Sequence, residues 1–207
     1  MTEEKDIRKQ IIQATEAIFS RKPCHEITIS DIAQAAQVSK GTIYRYFQDK
    51  DELIFETVSS GFDDLCSLLS QNIPEDAPFS EQIRSVCKQI SGFFNRRHQL
   101  LRLMQAEEGR IAWCKRYIRE ECMQKHKNLV DLVALIISKG MAEGKIRKDV
   151  PAHNLATLLL GMLKAQARSL ADFPAAMKQH DLIADLFCRG AGPLEEKASL
   201  LKIPDHT

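Results

Sequence analysis

The chain of 207 residues has little aromatic character, at 6% of its residues, and only one tryptophan. Runs of β-branched residues are few as well, which argues against a sandwich or barrel of strands. No apolar run approaches the length of a membrane span, and the opening MTEEKDIRKQ lacks the apolar core of a signal peptide. A soluble, cytoplasmic protein without a membrane partner is expected. The six cysteines, Cys24, Cys66, Cys87, Cys114, Cys122 and Cys188, stand singly with no Cys-x-x-Cys, the pattern of reduced thiols serving as small core hydrophobes. A His-Glu-x-x-His, the signature of a paired-carboxylate cleft and a glycine-rich phosphate loop are also missing, so neither an enzyme nor a bound cofactor is expected. Net charge is only +1, and the first 60 residues are slightly acidic, with Glu3, Glu4, Asp6, Asp49, Asp51, Glu52 and Glu56 among them. No broad positive field announces a polyanionic partner.

What is present is apolar periodicity at three- and four-residue spacing, over a composition that is 44% hydrophobic. The expected fold is all-α, with about nine helices. Ile7, Ile11, Ala14 and Ile18 line a first helix from Asp6 to about Ser20, which Pro23 terminates. Asp49 caps a long helix to about Ser70 through Leu53, Ile54, Val58, Phe62, Leu65 and Leu69; Pro74 and Pro78 mark a linker. Further helices are predicted from Phe79 to about Asn95, from Leu100 to about Gly109, and from about Arg110 to Gly140. After the turn Glu143–Asp149, Pro151 suits the first turn of another helix, and a final one follows Pro174 with Met177, Leu182, Ile183, Leu186 and Phe187.

The most informative stretch is Thr28–Phe47, TISDIAQAAQVSKGTIYRYF. Ile29, Ile32, Ala33 and Ala36 give one short helix an apolar face behind Thr28 as N-cap, and Ser39 can cap a second with Ile43 and Phe47 inward. Helices this short are stable only against neighbours. Lys40, Thr42, Tyr44, Arg45 and Tyr46 face elsewhere, on a segment narrow enough for the major groove of DNA. This is a helix-turn-helix arrangement.

The longer segment ITISDIAQAAQVSKGTIYRYFQDKDEL resembles the DNA-binding signature of the TetR family of bacterial repressors. The matching features are the opening Thr, the Ile-Ala pair, the Val-Ser turn, Gly-Thr, Tyr-x-Tyr-Phe and the following Lys-x-x-Leu. The chain departs from the pattern at Gln37, where the family has glycine, and at Cys24-His25, where it has a glycine-aromatic pair. A non-glycine residue in a left-handed turn costs about 1–2 kcal/mol.

The resemblance implies a regulator with a DNA-binding domain over residues 1–48, an effector-binding and dimerisation domain over 49–190, and a tail over 191–207. Lys40 and Arg45 are the candidates for base edges. Thr28, Ser30, Ser39, Gly41, Thr42, Tyr44, Tyr46 and Lys50 are candidates for the remaining contacts, mainly to phosphates, on double-stranded operator DNA. The GKIRKD turn at 144–149 also resembles the family's entry to its last two helices.

An effector pocket is expected among Phe62, Cys66, Phe93, Phe94, His98 and Leu101, and further among Met104, Trp113, Tyr117, Cys122, Met123 and His126. The late helices are apolar over more of their circumference than one core requires. Family members pair through these helices, which implies a homodimer interface at Leu155, Leu158, Leu159, Met162 and Gln166 with Leu182, Ile183 and Leu186. The main expectation is a repressor released from its operator by a small, largely apolar molecule of unknown identity. The alternatives are a metal sensor built on Cys122 and His126, a thiol redox sensor, and a structural DNA-associated factor with no effector.

Overall fold

Three short polar side chains start the helices that follow them. In the computed structural model, Thr28 accepts from the Asp31 amide at 3.2 Å while Asp31 accepts from the Thr28 amide at 2.8 Å, a reciprocal capping box. Ser39 accepts from the Thr42 amide at 3.0 Å. Asp49 accepts from the Glu52 amide at 2.8 Å, and Glu52 reaches back to the Gln48 amide. Each satisfies a donor that the first turn of a helix leaves unpaired.

The structure describes residues 2–19, 26–98, 100, 101, 103, 104, 116–169 and 180–193. Within them the order is α1 (Thr2–Ile18), α2 (Ile29–Ala35), α3 (Lys40–Tyr46), α4 (Lys50–Asn72), α5 (Phe79–Arg96), α6 (Arg116–Ala142), α7 (Ala152–Ser169) and α8 (His180–Gly190). The described residues contain no strand, and the fold is all-α as expected. Leu100, Leu101, Leu103 and Met104 are helical too, where a ninth helix was predicted; its continuation toward Gly109 lies outside the described residues, as do Pro174 and Met177.

Two boundaries differ from expectation. Helix α1 begins at Thr2, because nothing before Asp6 breaks the backbone, and Pro151 stands just outside α7 with its carbonyl accepting from Asn154 and Leu155.

Ile11 from α1, Ile32 from α2, Ile43 from α3, then Phe47, Leu53 and Ile54, all at most 1% exposed, form the core beneath the helix pair. Gln10 donates from Nε2 to the Ala36 carbonyl at 2.8 Å, tying α1 to the end of α2. Helix α4 then runs on between α1, α5 and α6. At Gly61 it comes so close to Leu100 that a Cβ would lie 2.5 Å from a Leu100 methyl.

Helices α2 and α6 end alike. Behind α2, the Gln37 amide bonds the Gln34 carbonyl and the Val38 amide bonds the Ala33 carbonyl, five residues back; behind α6, Gly144 and Lys145 repeat this pattern to Met141 and Gly140. This is the Schellman ending, whose pivot residue is left-handed and is most often glycine. Gly144 has φ +69°, and Gln37 adopts φ +54° despite its side chain. The turn therefore keeps its geometry and carries the strain. Gln37→Gly is expected to raise unfolding free energy by about 1 kcal/mol, and Gly144→Ala to lower it by a similar amount. Urea denaturation of the full chain measures both, and a loss of stability in Gln37→Gly would contradict the strain.

Candidate functional site

The helix pair presents a small set of side chains. Lys40, Gly41, Tyr44 and Arg45 of α3 are exposed, with Tyr44 at 55%, while Thr42 and Tyr46 are half-buried. An apolar ring this open on a surface that buries Ile43 is not serving the core. The Arg45 guanidinium lies 5.1 Å from the Tyr46 ring centroid and donates from Nη2 to its hydroxyl at 3.2 Å, so the cation is steered by its neighbour. Thr28 and Ser39 are both exposed N-caps, and the Ser39 and Thr42 hydroxyls share a hydrogen bond at 2.9 Å. Ser30 is exposed in the first turn of α2, and Lys50 opens α4 beside them. At Gly41 a Cβ would meet only the Ser39 hydroxyl, at an ordinary 3.7 Å, so the fold itself does not call for glycine there.

A cavity of about 950 Å³ opens between α4, α5, α6 and α7. Six of the residues expected in a pocket line it: Phe62, Phe94, Met104, Cys122, Met123 and His126. Four stand elsewhere, for a helical reason: neighbours in sequence point about 100° apart. Cys66 and Phe93 follow and precede true lining residues, Leu65 and Phe94; Leu101 is buried in the core and His98 is exposed. Trp113 and the side chain of Tyr117 lie outside the described residues. Periodicity alone did not single out the α7 wall of Thr157, Leu160, Gly161 and Lys164, nor His153 and Asp131, which meet at 3.0 Å at the rim.

Helix α7 divides its circumference in three, which explains its surplus apolar residues. Leu155, Leu159 and Leu163 enter the core, Thr157, Gly161 and Lys164 face the cavity, and Leu158 stands 60% exposed on the remaining side with Met162 half-buried nearby. Leu155 and Leu159, at 5% and 0%, and Ile183 of α8, at 8%, are buried in the chain's own core and so do not face the side where an interface is expected. Leu182 and Leu186 remain about half exposed, and Gln166 is half-buried.

Three of the described thiols are poorly suited to redox sensing. Burial pushes the Cys66, Cys87 and Cys188 thiols up, Cys87 to about 12, whereas a reactive cysteine has its thiolate stabilised. His126 rests edge-on against the Phe62 ring at 5.7 Å, and desolvation lowers its pKa, favouring the neutral ring. Among the described residues, no three His, Cys, Asp or Glu side chains are grouped to hold a metal ion.

One ionic cluster links the helix pair's support to the cavity walls. Arg97, just past α5, donates from Nε to Glu16 of α1 at 3.0 Å and from Nη1 to Asp64 of α4, with its guanidinium 5.1 Å from the Phe93 ring centroid. Both carboxylates raise the Arg97 pKa further, led by the Glu16 hydrogen bond. Arg8 of α1 adds a 2.9 Å pair to Glu56 of α4 while lying over the Phe47 ring. Arg97→Met is expected to lower unfolding free energy by about 1–3 kcal/mol, because Glu16 is left mostly buried without its cation. In a double-mutant cycle with Glu16→Gln, the two losses should fall well short of additive; full additivity would show that the pair does not act together.

Comparison with known proteins bears on this geometry. The family model described as "Bacterial regulatory proteins, tetR family" matches residues 11–57, from the buried face of α1 into α4. An uncharacterized HTH-type transcriptional regulator of Haemophilus influenzae is 32% identical over 96 residues, 46% of this chain and 51% of its own, so the match spans about half of that relative. The HTH-type transcriptional repressor KstR2 of Mycobacterium tuberculosis is 24% identical over 69% of this chain and 70% of its own. The crystal structure of the transcriptional regulator FadR from Bacillus subtilis in complex with stearoyl-CoA superposes with a TM-score of 0.76 at 19% identity, covering 88% of this chain and 98% of that one. That likeness concerns the fold. The match at 11–57 falls on the same residues that cap, turn and support the helix pair, and in that segment the chain is similar to the tetR family of bacterial regulatory proteins.

Proposed function

We propose that this chain is a homodimeric, TetR-like transcriptional repressor that leaves its operator when a small, largely apolar effector enters the α4–α7 cavity. The observation that carries the reading is the continuity of α4. This helix starts at Lys50 beside the exposed face of α3 and reaches the cavity through Val58, Phe62 and Leu65. At 1.5 Å per residue, Lys50 and Leu65 are about 22 Å apart along one rigid rod.

In this reading residues 1–48 bind DNA, residues 49–190 bind effector and partner, and residues 191–207 are a tail. Lys40 and Arg45 read base edges; Thr28, Ser30, Ser39, Thr42, Tyr44, Tyr46 and Lys50 hold phosphates, and Gly41 lets the start of α3 approach the duplex. Two protomers meet through the exposed apolar side of α7 and α8, at Leu158, Met162, Leu182 and Leu186, with Gln166 beside them. Two readers then face half-sites whose separation the DNA dictates. Effector shifts α4 and so the distance between readers, without altering either one. KstR2 is named a repressor and FadR was solved with stearoyl-CoA, and both support a ligand-released repressor. A structural DNA-associated factor would have no use for the cavity.

The test begins with a palindromic operator selected in vitro from random duplexes and titrated by fluorescence anisotropy at fixed salt. Arg45→Ala is expected to weaken that operator by about 1–3 kcal/mol and to change affinity for random duplex far less. A wild-type chain that prefers no duplex over random sequence would end the reading, and an unchanged Arg45→Ala would remove Arg45 from base recognition.

A further inference from the structure

Helix α3 carries two phenols and two cations, and they are not equivalent. Tyr44, 55% exposed, makes no hydrogen bond among the described residues, and exposed Lys40 has no charged or aromatic partner among them. Arg45 and Tyr46 are joined. The Tyr46 ring is half-buried and packs against the core, so it stands as a fixed post. The Arg45 guanidinium lies over that ring, 5.1 Å from its centroid, and gives one Nη2 proton to the phenol oxygen at 3.2 Å. A stack and a hydrogen bond together set both the place and the tilt of a flat group that would otherwise sample many rotamers on the surface.

The protons that remain define what the pair can recognise. A guanidinium has five N–H protons in a planar fork, and giving up one at Nη2 leaves one complete two-proton edge. In the major groove guanine offers a matching pair of acceptors, O6 and N7, whereas adenine offers an acceptor beside a donor and cytosine a donor. The Tyr46 oxygen accepts from Arg45 and keeps its own proton, which suits a phosphate oxygen.

We propose that Arg45 reads a guanine in each half-site through its remaining edge, and that Tyr46 is the positioning residue that aims it, with one hydroxyl bridging Arg45 and the DNA backbone. This rests on reading α3 as the helix that contacts DNA, and it adds the base and the residue that holds its reader. An arginine ordered before the duplex arrives loses less freedom on binding, and the gain is realised only where its edge meets two acceptors. Tyr46 therefore contributes to base preference, beyond a phosphate contact that is the same on every sequence.

The full-length protein is titrated by fluorescence anisotropy, at fixed salt, with the selected operator, a random duplex, and operators in which each half-site guanine is replaced in turn by 7-deazaguanine, which lacks N7. At one position the deaza base should weaken wild type about tenfold and leave Arg45→Lys indifferent, because lysine keeps the charge and has no two-proton edge. Tyr46→Phe keeps the ring and the stack and removes only an exposed hydroxyl bond, so its melting temperature should be unchanged. It should weaken the operator about fivefold or more, weaken random duplex less, and blunt the response to the deaza base at that same position. Added to Arg45→Lys, it should weaken the operator no more than it weakens random duplex. A Tyr46→Phe loss equal on operator and random duplex would make Tyr46 a phosphate contact alone, and a loss undiminished by Arg45→Lys would make the two side chains independent. A set of deaza operators in which no position depends on Arg45 would remove the guanine. Each of these results overturns the proposal while sparing the DNA-binding reading; a wild-type chain that prefers no duplex ends both.

Discussion

Helix α4 is buried along its length against two different sets of neighbours, and the rest of the molecule is arranged around that constraint. Its first turns bring Leu53 and Ile54 under the helix pair, and its later turns bring Phe62 and Leu65 to the cavity. Apolar contact fixes the helix sideways at both ends. Polar ties set how it sits lengthwise: Arg8 to Glu56, Arg97 to Asp64 and Lys125 to Asp63. Partly exposed pairs of this kind contribute about 0–1 kcal/mol each, so they hold a register weakly and re-form after a small shift. An apolar sleeve closed by weak ionic ties suits the movement of α4 as one piece that the proposed function requires.

Local chemistry was readable from the chain and long-range chemistry was not. Thr28, Ser39 and Asp49 are legible as caps because a cap is decided within four residues. The Gln37 turn was also readable, down to the conflict between its side chain and the backbone it must adopt. Arg97 gave no such signal, since its partners Glu16 and Asp64 lie 81 and 33 residues away. The pocket shows the boundary between the two cases. Residue type points to Phe62 and Phe94, but it points equally to Cys66 and Phe93, because type does not reveal which way a helical side chain faces.

The late helices make the same point about apolar surplus. The sequence shows that α7 has more apolar surface than one core requires, but not which of its residues face the core and which are left over. Leu155 and Leu159 are core residues, and the cavity claims another side of the same helix. Hydrophobicity counts demand for burial without naming the neighbour that meets it.

That partition of α7 bears on how such a protein changes over generations. Positions 157, 161 and 164 touch the cavity but not the packed interior, while Leu155, Leu159 and Leu163 hold the fold from the other side. Substitutions on the cavity side alter what is admitted while leaving the scaffold, and the surface that carries Leu158, as they were. Under the proposed function, the inducing molecule could therefore change by single substitutions, because the helix keeps its separate obligations on separate faces.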